Sequence, residues 1–227
     1  MSRPWRRRFA IGLVLTLAAA WLGWYRWLPE YRPSLRAGER YGIDVAHHQG
    51  TIDWQRVASD GIAVAYIKAT EGGDLIDPSF HANWRGADDA RIVRGAYHFF
   101  TLCRTGVDQA QFFVHTVNGA GADPSAMAPA VDLELAGNCG KRPTGAALRA
   151  VLTAYLKLVE AAAGKSAVLY IGGDFEARYH VRRWLTRYQW RPRFLRRPDV
   201  DGWYVWQVDG LAHVKGIKGP VDLDVFR

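Results

Sequence analysis

Residues 62–69, IAVAYIKA, are a nearly unbroken apolar run. A strand wetted on one face alternates apolar and polar residues. A run without that alternation belongs to a strand covered on both faces, as in a parallel sheet flanked by helices. The chain around it repeats the same arrangement. Short strands are expected at Tyr41–Val45, 62–69, Val93–Phe99, Ala128–Leu133 and Ala167–Ile171. Helices are expected from Asp53, with Thr51 or Asp53 near the cap, and over Phe80–Ala90, Val107–Asn118 and Gly145–Ala163. The last of these carries Leu148, Leu152, Tyr155, Leu156 and Val159 at helical spacing, which marks one buried face. Five strand–helix units in a row predict an α/β fold with a parallel sheet. The tail differs, because 203–207 (WYVWQ) and 221–226 (VDLDVF) read as strands with no room for a full helix between them. That pattern predicts a barrel closed by bare strands; an open doubly wound sheet is the alternative.

In a parallel barrel, functional side chains gather at the C-terminal ends of the strands. The fourth strand ends in AVDLEL, residues 130–135. Side chains alternate along a strand, so Asp132 and Glu134 point the same way, with α-carbons roughly 6–7 Å apart. Carboxylates this close perturb each other, and one can stay protonated while its neighbour ionises. The competing structural reading is a strand end whose acids cap a loop or meet a buried Arg. Asp44 in the first strand, Tyr97 and His98 in the third, Tyr170 in the fifth, Trp206 and Gln207 in the penultimate and Asp222 in the last reach the same rim. Acids beside aromatic faces suit a sugar: the rings stack, and the acids protonate a glycosidic oxygen or stabilise developing positive charge.

The N-terminus reads as an address. Arg3, Arg6, Arg7 and Arg8 precede the uncharged run Phe9–Tyr25, FAIGLVLTLAAAWLGWY, and Trp21, Trp24, Tyr25 and Trp27 crowd its far end. A basic flank, an apolar span and an aromatic belt predict a single membrane-spanning signal anchor over 1–28. A cleaved signal with its site near Ala18–Ala20 is the alternative. Either way the rest is exported, to the periplasm or cell exterior, and the anchored form sits in the inner membrane. Residues 29–40, PEYRPSLRAGER, read as a linker and 41–227 as the folded domain. Export makes the two cysteines, Cys103 and Cys139, a candidate disulfide, since both follow strands and fall on one rim; two free thiols are the alternative. Residues 1–40 hold eight Arg and two Glu, most of the net charge of +8. The basic character is thus a property of the leader, and no nucleic-acid partner is expected.

The segments GIDVAHHQGTIDW (42–54), YIKATEG (66–72), GAYHFF (95–100), AVDLEL (130–135), VLYIGG (168–173), WYVWQ (203–207) and VDLDVF (221–226) resemble, in order, the motifs of glycoside hydrolase family 25. The resemblance covers residues 41–227. It implies a compact TIM-like barrel of about five strand–helix units followed by three strands. It also implies a lysozyme that cuts the β-1,4 bond between N-acetylmuramic acid and N-acetylglucosamine in peptidoglycan. By motif, Glu134 resembles the general acid, Asp132 its partner, and Asp44 and Asp222 the other acids of the pocket. Tyr66, Tyr97, Tyr170, Trp206 and Gln207 match cleft positions. Three features depart from the family pattern. Ala46 stands where Ser is usual, Asp224 where Asn is common, and no clear sixth-strand aromatic motif occurs between Tyr179 and Val200.

Three routes remain open for the attack: a covalent carboxylate nucleophile, a water on the opposite face, or the substrate's own N-acetyl group oriented by Asp132. No cofactor or metal is expected, and the enzyme is expected to act as a monomer. A non-catalytic glycan-binding protein and a hydrolase of another acetamido-sugar polymer are the competing functions. Residues 178–197 hold eight Arg and no acid among Tyr179, Trp184, Tyr188, Trp190 and Phe194. This stretch is either a surface for an anionic envelope partner or a basic edge whose aromatics pack inward.

Overall fold

A computed structural model describes residues 3–121 and 123–227; the side chains of 3–10 and 12 lie outside the described set. Helix α1 (Arg3–Trp27) precedes a barrel domain. Five strand–helix units follow: β1 (Arg40–Val45) with α2 (Trp54–Ser59), β2 (Val64–Glu71) with a two-residue flap β3 (Leu75–Ile76) and α3 (Phe80–Asp89), β4 (Val93–Phe99) with α4 (Gly106–Gly119), β5 (Ala130–Leu133) with α5 (Gly145–Ala163), and β6 (Val168–Ile171) with α6 (Gly173–Tyr179). Three strands complete the chain: β7 (Gln189–Pro192), β8 (Trp203–Ala212) and β9 (Val221–Phe226).

The sheet closes on itself, because β1 pairs with both β2 and β9. That closure excludes the open doubly wound sheet. Neighbours from β1 round to β8 are parallel, and β9 runs antiparallel between β8 and β1. A single reversed strand needs only the short connection available after β8. The strand at 189–192, unreadable in the sequence, is the sixth of the barrel. It carries one aromatic, Trp190, set among arginines.

Period-two alternation sorts the strand side chains into two layers. Ile43, Val45, Ala65, Ile67, Val131, Leu169, Leu223 and Val225 face outward and bury against the helices. Val64, Tyr66, Tyr97, Ala130, Val168, Trp190, Val205 and Phe226 fill the barrel interior. Space there is tight: a Cβ on Gly42 would sit 2.2 Å from the Phe226 ring, and one on Gly95 2.5 Å from the Tyr66 ring. Helix α5 buries the predicted stripe of Leu148, Leu152, Tyr155, Leu156 and Val159. Thr144 caps its start by accepting from the Ala147 amide, and Gly164 ends it in the left-handed conformation.

Residues 29–39 lack regular structure beyond a short 3-10 turn at Leu28–Glu30 and a turn at 37–38, yet they are docked on the barrel. Leu28 is buried, the His213 amide donates to Pro29 O at 2.8 Å, Tyr41 donates to Pro33 O at 2.6 Å, and Arg197 bridges Glu39 and Ser34 O. In α1, Ile11, Leu13, Val14, Leu15, Leu17, Trp21, Leu22, Trp24 and Tyr25 stand about half exposed or more. Among the described residues no helix is long and apolar enough to cross a membrane. The basic flank and the first residues of the run from Phe9 lie outside the described side chains.

Five of the eight arginines in 178–197 are ion-paired within the chain: Arg182 to Glu176, Arg187 to Glu160, Arg193 and Arg196 to Asp199, and Arg197 to Glu39. Tyr179 and Trp190 are buried beneath them. The stretch is built mainly as the barrel's basic edge.

Candidate active site

The strand ends of the barrel enclose a cavity of about 410 Å³. Asp44, Asp132, Glu134 and Asp222 all line it, together with Tyr97, Tyr170, Gln207, Lys68, Glu71, His48, Phe99, Gly137 and Trp190. β1 and β9 bring two of the acids together directly, since Asp44 is the cross-strand partner of Asp222. Asp132 lies in β5 and Glu134 just beyond its end, on the same face. A second hollow of about 330 Å³, between the C-terminal ends of α4 and α5, holds none of these four acids.

Hydrogen bonds fix the pocket wall. The Tyr170 hydroxyl donates to Gln207 Oε1 at 3.1 Å, and Gln207 Nε2 donates to Asp44 Oδ2 at 3.0 Å. The Trp190 indole donates to Asp224 Oδ1 at 3.0 Å. Its ring stacks on Tyr66 at 5.0 Å between centroids and meets Tyr170 edge-on at 5.3 Å. Lys68 is paired to Glu71 at 2.8 Å and lies over the Phe99 ring.

Two expected cleft residues stand elsewhere. Tyr66 points inward but too deep: it is fully buried, and its hydroxyl is used by Ala128 O at 2.9 Å. Trp206 is on the wrong side of β8. It is 1% exposed, packs with the outer core beneath Arg197, and donates its indole N–H to Arg193 O at 2.7 Å. Adjacent residues of a strand face opposite ways, so once Gln207 faces the cavity Trp206 cannot. Trp190 of β7 supplies the large aromatic instead. His98 is likewise turned outward and buried between Thr70 and Gln109. Burial holds its imidazole down at about 4, so it stays neutral.

The acids are crowded and largely buried around one lysine, Lys68. Burial, then the Asp222 and Asp224 charges, push Asp44 well above the usual carboxylate range. Burial and then Glu134 do the same to Asp132, with Lys68 pulling the other way. Glu134 is raised by burial and by the neighbouring Asp174. Asp222 is pushed up to about 6 by burial, Asp209 and Glu134. Each carboxyl here keeps its proton to a higher pH than a free one would, which is the direction a group donating a proton to a leaving oxygen needs. Among the described residues no group of three or more His, Cys, Asp or Glu could hold a metal ion.

Two loops anchor the acid-bearing strand end. Cys103 after β4 and Cys139 after β5 form a disulfide. Beside it, Asn138 donates to Phe100 O at 2.8 Å and Glu134 O at 2.9 Å, and accepts from the amides of Leu102 at 2.9 Å and Cys139 at 3.0 Å. Sequence reading passed over Asn138, Trp190, Lys68 and Asp224's burial. Of these, Lys68 had a signal, strand parity with Tyr66 on β2, whereas Trp190 had none because its strand was not legible.

Comparison with known proteins gives one family. Residues 43–217 match the model of glycosyl hydrolases family 25. The chain is 38% identical over 198 residues to the uncharacterised protein YegX of Escherichia coli (strain K12), covering 82% of this chain and 69% of that one. It is 30% identical over 215 residues to Lysozyme M1 of Streptomyces globisporus, covering 82% and 67%. Among solved structures, a family 25 glycosyl hydrolase from Bacillus anthracis superposes with a TM-score of 0.76 at 27% identity, over 87% of this chain and 93% of that one. A bacterial lysozyme from Streptomyces coelicolor gives 0.73 at 28% identity, over 83% and 92%.

Proposed function

Because the chain belongs to glycosyl hydrolases family 25, we propose that it is a peptidoglycan lysozyme cleaving the β-1,4 bond between N-acetylmuramic acid and N-acetylglucosamine. The observation that carries this reading is the convergence of Asp44, Asp132, Glu134 and Asp222 on one open cavity walled by Tyr97, Tyr170 and Trp190. Acids serve bond cleavage, aromatics serve sugar stacking, and binding alone needs no such crowd of carboxyls.

Glu134 is the general acid. It sits at the strand end, only partly buried, and its carboxyl is raised. It protonates the glycosidic oxygen as the bond to the muramic acid C1 breaks. Asp132, on the same face and deeper, orients the N-acetyl group, whose carbonyl oxygen attacks C1 from the opposite side. Glu134, now a carboxylate, takes a proton from the water that opens the resulting ring, so configuration is retained. Asp44 and Asp222 supply negative potential beneath the developing positive charge.

The proposal extends to location. The basic flank, the run Phe9–Tyr25 and the exposed apolar side chains of α1 support a single-pass anchor, with the barrel on the outer face of the inner membrane. The disulfide fits an oxidising compartment. Retention in membranes after alkaline carbonate washing tests the anchor; release of the full-length chain overturns it. Digestion of purified peptidoglycan tests the activity. New reducing ends on muramic acid are expected, and ends on glucosamine, or none, overturn the assignment.

A further inference from the structure

Asp224 lies directly below the four acids of the cavity and has no part in the proposed chemistry. It is 0% exposed. On β9 it is two residues from Asp222 and so shares its inward face; its cross-strand partners are Gly42 on β1 and Gln207 on β8. Gly42 carries no side chain, so no side chain on β1 stands between Asp224 and Asp44, its diagonal neighbour on the same inward face. Its two oxygens differ. Oδ1 accepts from the Trp190 indole, a group that can only donate. Oδ2 is sealed from solvent and receives no donor. A buried carboxylate oxygen with no donor is costly, and two carboxylates cannot bond each other without a proton. A proton on Oδ2 removes both difficulties: Oδ1 keeps the indole bond, and the Oδ2 hydroxyl donates to Asp44.

We propose that Asp224 is a positioning residue that stays protonated and donates its carboxyl hydrogen to Asp44, so that the pair carries one charge, on Asp44. Asp44 is then held from two sides, by Gln207 from β8 and by Asp224 from β9, while Tyr170 fixes Gln207 and Trp190 fixes Asp224. The network sets the angle at which Asp44 faces the sugar. The groups around the pair agree with one shared proton. Asp222 stands beside it on β9, Asp209 on β8 and Asp132 on β5, all acidic. Tyr66 of β2 is buried and neutral beneath. Lys68, the cavity's one lysine, is engaged by Glu71. Burial and the Asp222 charge push Asp224 well above the ordinary carboxylate range, in the same direction.

The inference that Asp44 acts in catalysis rests on the lysozyme reading; the protonation of Asp224 does not. The test therefore has two arms on the full chain with Asp224→Asn, which keeps the shape, the indole bond and a donor toward Asp44. In the infrared spectrum at neutral pH, the substitution is expected to remove one protonated-carboxyl band. In kinetics on peptidoglycan, kcat is expected within about threefold of wild type, and both limbs of the kcat/KM pH profile within about 0.3 unit, since no charge is removed. Asp224→Ala, which removes the donor, is expected to lower kcat about tenfold with KM nearly unchanged. A band that persists in Asp224→Asn, or limbs displaced by a unit or more as loss of a negative charge would displace them, overturns the proposal. If wild type cleaves no peptidoglycan, the lysozyme reading fails alone and the infrared arm still decides.

Discussion

Replacing Asn138 by Ala removes four hydrogen bonds at once. The Asn138 side chain satisfies Phe100 O, Glu134 O and the amides of Leu102 and Cys139, at 2.8–3.0 Å. At about 1 kcal/mol net per bond the loss is about 4 kcal/mol. Asn138 is only partly buried, so water recovers some of it, which leaves about 3 kcal/mol. For a domain of this size that lowers the melting midpoint by roughly 6–12 °C. The same change frees the backbone at Glu134 O, and a displacement of about 1 Å at a reacting group costs on the order of 100-fold in rate. Urea unfolding and kcat on purified peptidoglycan measure the two effects separately. The expected result is a loss of both stability and kcat. Stability within about 1 kcal/mol of wild type together with unchanged kcat would refute the view that this side chain holds the acid in place.

Paired Cys103→Ser and Cys139→Ser substitutions open a loop of sequence separation 36, which chain entropy values at about 4 kcal/mol; calorimetry with no reductant should show a midpoint lower by roughly 8–15 °C. Asp222→Asn should stabilise the fold by roughly 1–2 kcal/mol at pH 7.5, with the gain gone at pH 4. The sign follows from the folded value of about 6. Between the unfolded value, about 4, and that value the fold holds a proton the unfolded chain has lost, so Asp222 costs stability as pH rises through this window. Thermal melts at the two pH values check it; a gain at pH 4 equal to that at pH 7.5 contradicts it. Trp190→Phe keeps the stacking but strands Asp224 Oδ1, and should cost about 1–3 kcal/mol by urea unfolding.

Much of the barrel was legible because its signals are local. The unbroken run in β2 and the stripe on α5 follow from spacing alone, and of the two cap candidates, Thr51 and Asp53, the structure uses Asp53. β7 was not legible: four residues, QWRP, carry one inward aromatic and no alternation long enough to recognise. The candidate site followed the same divide. Asp132 and Glu134 were readable as a pair by strand parity, and parity also contains the correction at β8, where Trp206 and Gln207 cannot both face inward. Tyr66 required depth along the strand, which register supplies only once the barrel is assembled. Asp224 shares parity with Asp222 and could be placed beside it, but its sealed Oδ2 depends on Trp190 from an unrecognised strand.

The central claim is that Glu134 donates the proton that breaks the glycosidic bond. Its most direct measurement is the release of muramic acid reducing ends by wild type and Glu134→Gln, with binding to insoluble peptidoglycan and the melting midpoint measured in parallel. The amide keeps size and hydrogen bonding but has no acidic proton. The rate should fall by about 10³-fold or more, with binding within about threefold and the midpoint unchanged. Cleavage by Glu134→Gln within about tenfold of wild type would contradict the assignment.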